Sequence, residues 1–276
     1  MTIHLRADRS LFRFSGPEAH RLLNDVLTGH VPDGEDGFAH WWALLSPQGK
    51  ILAEGLAGWR DDALWLDVHA SVADDFFRRM RMYRLRAAAE IEDLRDTHRV
   101  GYASAPVTEA IAHRDRRGPV ELGWRVIAPA GDAAGWVEDD APYQGARIAA
   151  GILHQGNDFP ANDAFAHDLG MDLLGGIDFD KGCYVGQEVV SRMKHRGTAR
   201  RRPVLVSGIA AEAGSAVSAG GREAGKIGQV ENGQAVAILR LDRIADPAAV
   251  TIGDRPAAVA LPAWADYRFG QASVED

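Results

Sequence analysis

The segment Lys181, Gly182, Cys183, Tyr184, Val185, Gly186, Gln187, Glu188 holds the chain's single cysteine. A thiol acts as nucleophile or soft ligand through its thiolate, and two features favour that form here: the Lys181 ammonium and the backbone N–H groups that open a following helix. Ile177 and Phe179 before it read as a strand, and Val189, Val190 and Met193 after it as a helix, so Cys183 is expected at a strand-to-helix turn. Gly182 and Gly186 would let another molecule approach closely. The competing reading is a buried, inert thiol, because free cysteine is among the most buried residue types. A lone cysteine excludes an intrachain disulfide and a metal site built only of cysteines.

Arg192, Lys194, Arg196, Arg200, Arg201 and Arg202 follow directly. Such a run is either a solvated helix end or an anion site for phosphate, polyglutamate or RNA backbone. The 31 Lys plus Arg against 39 Asp plus Glu give a net charge of −8. That balance opposes whole-surface nucleic-acid binding, so direct tRNA binding is not expected. Arg78, Arg79, Arg81, Arg84 and Arg86 read as solvated surface. His154, Asp158, His167 and Asp168 match no standard ligand spacing and read as surface or satisfied polar residues, so no metal site is expected. Phosphate-loop, serine-elbow and dinucleotide fingerprints are absent from the sequence.

The elements that must position Cys183 follow from periodicity. A chain of 276 residues with 46% hydrophobic and 25% charged residues is an ordinary globular protein of two domains, or one large domain with an appendage. Ser15 to Glu18 form a capping pattern before Ala19, Leu22, Leu23 and Val26, with Gly29 as the stop. Phe38 to Leu45 and Ile51 to Trp59 are expected as strands joined by a turn at Ser46 to Gly49, followed by a strand around Leu64 to Val68. Ser71 with Asp74 should open a helix bearing Val72, Phe76 and Met80 on one stripe. Strands are expected again at Leu85 to Ile91 and from Val100 to Val137, around a charged loop at His113 to Arg117. Beyond Arg202 the chain turns rich in Gly, Ala and Val, and Asn232-Gly233 marks a hairpin between Ile227–Val230 and Ala235–Leu241. Residues 203–276 therefore read as a small β-barrel or sandwich. No apolar run approaches the roughly 20 residues of a membrane span, and Met1 to Phe14 lacks the pattern of a secretory signal, which points to the cytoplasm and no membrane.

Lys-Gly-Cys-Tyr-x-Gly-Gln-Glu at 181–188 resembles the signature of the YgfZ-like folate-binding proteins. These are relatives of the glycine cleavage T-protein (aminomethyltransferase) and act in iron-sulfur protein assembly or repair and, through it, in tRNA methylthiolation. Ser15–Thr28, Leu45–Glu54, Arg147–Gly151, and Arg192 with His195, Arg196 and Gly197 are similar to further elements of that family, and the tail is similar to the T-protein's terminal barrel. The resemblance implies an α+β fold: a three-lobed ring around a folate channel, with two interleaved lobes in residues 1–202 and a barrel in 203–276.

It also implies a folate-binding accessory role, with tetrahydrofolate as cofactor and iron-sulfur proteins or their assembly machinery as partners. Cys183, helped by Lys181, would carry one-carbon or redox chemistry, while Tyr184, Gly186, Gln187, Glu188, Arg192, Arg147 and Asn157 would contact the cofactor. The alternative is a tetrahydrofolate-dependent aminomethyl or methyl transferase. T-proteins, however, place an Asp pair where this chain reads Lys50, Ile51, Leu52, Ala53, Glu54, and the missing carboxylate argues against aminomethyl transfer. Ala149 stands where many relatives carry a pterin-binding Glu, so folate binding should be weak unless Asn157, Asp158 or a backbone carbonyl substitutes.

Overall fold

Along Arg9–Ser15, Phe12 and Phe14 face one way while Arg9, Leu11 and Arg13 face the other, and this period of two organises the first sheet. The computed structural model describes residues 1–197 and 199–270. It divides into two compact units, Met1–Tyr143 with Leu174–Gln187, and Gln144–Leu173 with Glu188–Asp276. Residues 271–276, the end of the expected barrel range, lie outside the described residues.

The first unit holds β1 (His4–Leu5), β2 (Arg9–Ser15), β3 (Phe38–Leu45), β4 (Ile51–Arg60), β5 (Ala63–His69), β6 (Glu90–Asp93), β7 (His98–Ala103), β8 (Ile111–Arg117) and β9 (Val120–Pro129). They form one sheet in the order β1-β7-β9-β8-β3-β4-β5-β2-β6. Its pairs are antiparallel except β3 with β8, where Phe38 and Ala39 run parallel to Arg114 and Asp115. Helices α1 (Ala19–Asn24) and α2 (Ala73–Arg84) supply Leu23, Phe76 and Met80 to a core with Phe12, Phe14, Trp42, Leu44, Leu64 and Leu66. Phe76 stacks 5.5 Å from Trp42 and tilts 5.3 Å from Phe12. Burying a phenyl ring this fully contributes about 1.5–3 kcal/mol, and truncating it to Ala costs about 3–5 kcal/mol once the cavity is included.

The opposite face buries charges instead. Asp67 accepts from Arg9 Nε at 2.6 Å and from Arg125 at 2.8 Å, while Glu54 accepts from Trp41 Nε1 at 2.7 Å. Arg117 pairs with Asp115 at 3.0 Å and lies 4.8 Å over the Trp41 ring. His113 bonds the Trp59 carbonyl through Nε2 and meets Arg125 through Nδ1, both at 3.1 Å. Burial, then the Arg125 charge, hold that imidazole down to about pKa 3.

Three expectations need correction. His113 to Arg117 is not a loop but strand β8: His113, Asp115 and Arg117 are buried, and the charges of Arg114 and Arg116 point outward. Its period of two was hidden because the buried positions are polar as well. Glu18 does not close a capping box on Ser15; its carboxylate accepts from Ala88 N–H at 2.7 Å, and α1 starts only at Ala19. Leu85 to Ala89 is no strand, since Leu85 turns through φ +38 and is exposed, and pairing begins at Glu90.

The second unit contains β10 (Arg201–Ser207), β11 (Ala216–Ala219), β12 (Arg222–Ile227), β13 (Gln234–Arg240), β14 (Val250–Ile252), β15 (Arg255–Pro256) and β16 (Ala258–Ala260), ordered β15-β14-β11-β12-β13-β10-β16. Val204, Val206, Val217, Leu239 and Tyr267 fill its core. Asn232 and Gly233 take φ +50 and +71, the left-handed pair of the expected hairpin turn. Strand β12 ends at Ile227 rather than Val230, because the Asp158 carboxylate takes the Gln229 N–H at 2.9 Å out of the ladder. Helices α3 (Ala141–Ala149) and α4 (Gln187–Arg196) complete the regular elements used below.

Candidate functional site

No strand precedes Cys183. Thr28 ties that segment down as a loop instead: its carbonyl accepts from Asp178 N–H at 2.8 Å and its hydroxyl donates to the Gly176 carbonyl at 2.7 Å. The same residue is tied to β3 by Thr28 N–H to Ala43 O and Ala43 N–H to Thr28 Oγ1, both 2.9 Å. Thr28 is fully buried, so these bonds form a rigid anchor for the loop that follows. Next to it, Gly29 is required by contact rather than as a helix stop: a Cβ there would lie 2.1 Å from the Trp41 carbonyl.

Past the anchor, the Asp178 carboxylate accepts from the N–H groups of Asp180 and Lys181 at 3.0 and 3.2 Å and turns the chain. Lys181 Nζ donates to Gly29 O at 2.8 Å and lies 5.4 Å over the Tyr184 ring. Burial pulls its pKa down to about 8, against the opposing pull of Asp178 and Asp25. Tyr184 is buried beneath it, and burial, followed by Asp178, pushes its hydroxyl up to about 12. Gly186 closes the loop at φ +82, where a Cβ would stand 2.9 Å from both Leu45 Cβ and Ser46 O. Gln187 begins α4, its N–H bonding Tyr184 O at 3.2 Å and its side chain reaching Gly182 O at 3.4 Å.

Between these fixed points Cys183 is exposed, four positions before the first residue of α4. Lys181, Tyr184, Gly186 and Gln187 thus hold the loop's shape and the thiol projects from it. Glu188 and Arg192 are exposed, one helical turn apart on α4. The basic run divides: Arg202 grips Asp172 at 2.7 and 2.9 Å and Arg201 pairs with Asp163 at 3.1 Å, both within the second unit, whereas Arg192, Lys194 and Arg196 are exposed.

Arg147 is a different case. Its Nε donates to Gln144 at 2.5 Å, NH1 to Ile152 O at 3.1 Å and to Asp158 at 2.7 Å, and NH2 to Asp158 at 3.4 Å and Gln229 at 3.2 Å. All five guanidinium N–H groups are used within the second unit, so the expected cofactor contact gives way to a structural clamp. Asn157 joins the clamp, its Oδ1 accepting from His154 Nδ1 at 3.2 Å and its amide nitrogen donating to Gln229. His154, Asp158, His167 and Asp168 are not surface residues, since the side chains are 0–3% exposed. Neither ring nitrogen of His167 has a hydrogen-bond partner, and burial holds its pKa down. Ala149, at the end of α3, is exposed.

A crystal structure of the glycine cleavage system aminomethyltransferase T from Bartonella henselae superposes with a TM-score of 0.75 at 15% identity, covering 97% of this chain and 87% of that one. The fold is that of the glycine cleavage T-protein. Residues 199–267 match the CAF17 C-terminal beta-barrel domain, which begins four residues before the expected boundary at 203. In sequence, the chain is 31% identical over 214 residues to the mitochondrial iron-sulfur cluster assembly factor IBA57 homolog of Pyricularia oryzae, covering 70% of this chain and 54% of that protein. It is 27% identical to the mouse and 28% to the human mitochondrial iron-sulfur cluster assembly factor IBA57, over 87% of this chain and 77% of each. The chain thus spans about half the length of the fungal relatives. No helix among the described residues is long and apolar enough to cross a membrane.

The residues that sequence reasoning missed are Thr28, Gly29, Leu45 and Ser46, which seat the loop. Gly29 reads locally as a helix stop, Ser46 as part of a turn and Leu45 as a strand end, and their contacts with Trp41 and Gly186 are ones that no local pattern encodes.

Proposed function

We propose that this protein supports iron-sulfur cluster assembly or repair, and through it tRNA methylthiolation, with Cys183 as its essential group and a reduced folate as ligand. The observation that carries this reading is an exposed thiol on a loop fixed at Thr28, Gly29 and Gly186, in a chain whose sequence relatives are named iron-sulfur cluster assembly factors. An exposed thiol can meet a cluster-bearing partner or accept a one-carbon or redox equivalent without unfolding the loop. Glu188 and Arg192, both exposed, are the cofactor or partner contacts that remain once Arg147 is assigned to the clamp.

Aminomethyl transfer is disfavoured. Ala53 packs in the apolar core, and Glu54 is buried on the other face, where it accepts from Trp41. Neither offers an acid to a reacting nitrogen. Glycine-cleavage turnover with added tetrahydrofolate should therefore be undetectable, and measurable turnover would overturn this part.

The folate component is tested by calorimetry with tetrahydrofolate on the native protein and on Ala149→Glu. Ala149 is exposed, so the carboxylate enters without a burial penalty, and a new charged acceptor contributes about 1.5–3 kcal/mol, roughly tenfold in affinity or more. Unchanged binding by the folded variant would move the ligand away from α3.

A further inference from the structure

Away from the Cys183 thiol, the first unit gathers three side chains whose atom types suit a metal ion. His30, Asp36 and His40 each offer one ligand atom, and these atoms lie within 4.8 Å of one another. Two ligands about 2.1 Å from a shared ion are at most ~4.2 Å apart, so a shift of roughly half an ångström in the exposed His30 and Asp36 side chains closes the set around the half-buried His40. We propose that His30, Asp36 and His40 form a site for one divalent first-row transition-metal ion of the zinc or ferrous class, bound through two imidazole nitrogens and one carboxylate oxygen.

The surroundings are arranged as a ligand set requires. Asp36 Oδ1 accepts from Phe38 N–H at 2.9 Å, which fixes the carboxylate, and Oδ2 meets His40 Nε2 at 2.6 Å. A metal would replace that hydrogen bond, with the imidazole proton moving to Nδ1. Such outer support of ligating groups is a regular feature of metal sites. The His30 and His40 rings meet edge to face at 4.7 Å, a contact that two imidazolium cations would not share.

Space points the same way. A cavity of about 330 Å³ lined by Phe38, His40, Trp41 and Leu174 adjoins the cluster. Three protein ligands leave positions open for water or a small molecule from that side, and nitrogen and oxygen donors in this mix suit zinc or ferrous iron. Lys181 bonds Gly29 O, the carbonyl just before His30, so the metal cluster and the cysteine loop share a backbone segment.

The test uses full-length protein stripped with a chelator. It is titrated with Zn2+ alone against a chromophoric competitor, and in a second, anaerobic arm with Fe2+ alone. One equivalent should bind to the native protein and equally to Cys183→Ser. The double variant His30→Gln, His40→Gln should lose at least a hundredfold in affinity, and Asp36→Asn about tenfold. Zn2+ should raise the melting temperature of the native protein and leave that of the double variant unmoved. Failure of the native protein to bind either ion, native affinity in the double variant, or loss of binding in Cys183→Ser would each overturn the site. If the double variant does not fold, His30→Gln decides, because His30 is exposed: unchanged affinity there overturns the site as well.

Discussion

The Cys183 loop and the Arg147 segment present the same case in sequence, a reactive or charged residue in a short motif with glycines nearby, and they fold to opposite ends. In the loop, three residues around the thiol are spent on holding backbone: Lys181 on Gly29, Gly186 against Leu45 and Ser46, Gln187 on Gly182. Cys183 itself is left exposed. At Arg147 the charged group is the structural element, with five N–H donors spent on Gln144, Ile152, Asp158 and Gln229 and no exposed surface. A polar residue serves a ligand when its neighbours carry the fold; it serves the fold when its own donors are saturated.

The contrast is broken most directly at Arg147. Replacing it with Met leaves the Asp158 carboxylate buried without its cation, which should cost about 3–5 kcal/mol. Urea unfolding measures this, and a loss under 1 kcal/mol would show that the clamp is not structural. Gly186→Ala comes next, since a side chain at φ +82 meets backbone at 2.9 Å and should cost about 1–3 kcal/mol. Faster amide exchange in residues 181–187, with the sheet core unaffected, is the expected signature.

Thr28→Val keeps the shape but strips the hydroxyl that donates to Gly176 O and accepts from Ala43 N–H. Each group left unpaired costs about 1–3 kcal/mol unless water reaches it, so the loss should be of that order. The last effect is a slope in pH. Because Lys181 has its folded pKa lowered to about 8 from 10.5, the unfolded chain binds more protons between those values, and stability should rise with pH across that window. Lys181→Met should flatten the rise; an identical slope in the variant would assign it to other groups.

Much of the architecture was legible because apolar alternation is a local property. Phe38–Leu45, the turn at Ser46–Gly49, the stripe of Val72, Phe76 and Met80, and the Asn232-Gly233 hairpin all lie where residue type and spacing require them. Strand β8 was missed because its inward residues are His113, Asp115 and Arg117, whose burial depends on partners such as Arg125 and on Trp41. The loop before α4 reads as a strand from Ile177 and Phe179, yet it is tied at Gly176 and Asp178 to Thr28, about 150 residues earlier in the chain. The exposure of Cys183 and the saturation of Arg147 are likewise set by distant residues, and a motif reports neither.

The central claim is that Cys183 acts outward while its loop is held by other residues. Cys183→Ser, produced alongside the native protein, should show the same melting temperature and the same urea midpoint. It should also fail to restore iron-sulfur enzyme activity in cells lacking the protein. Full restoration by Cys183→Ser at native expression levels would contradict the account.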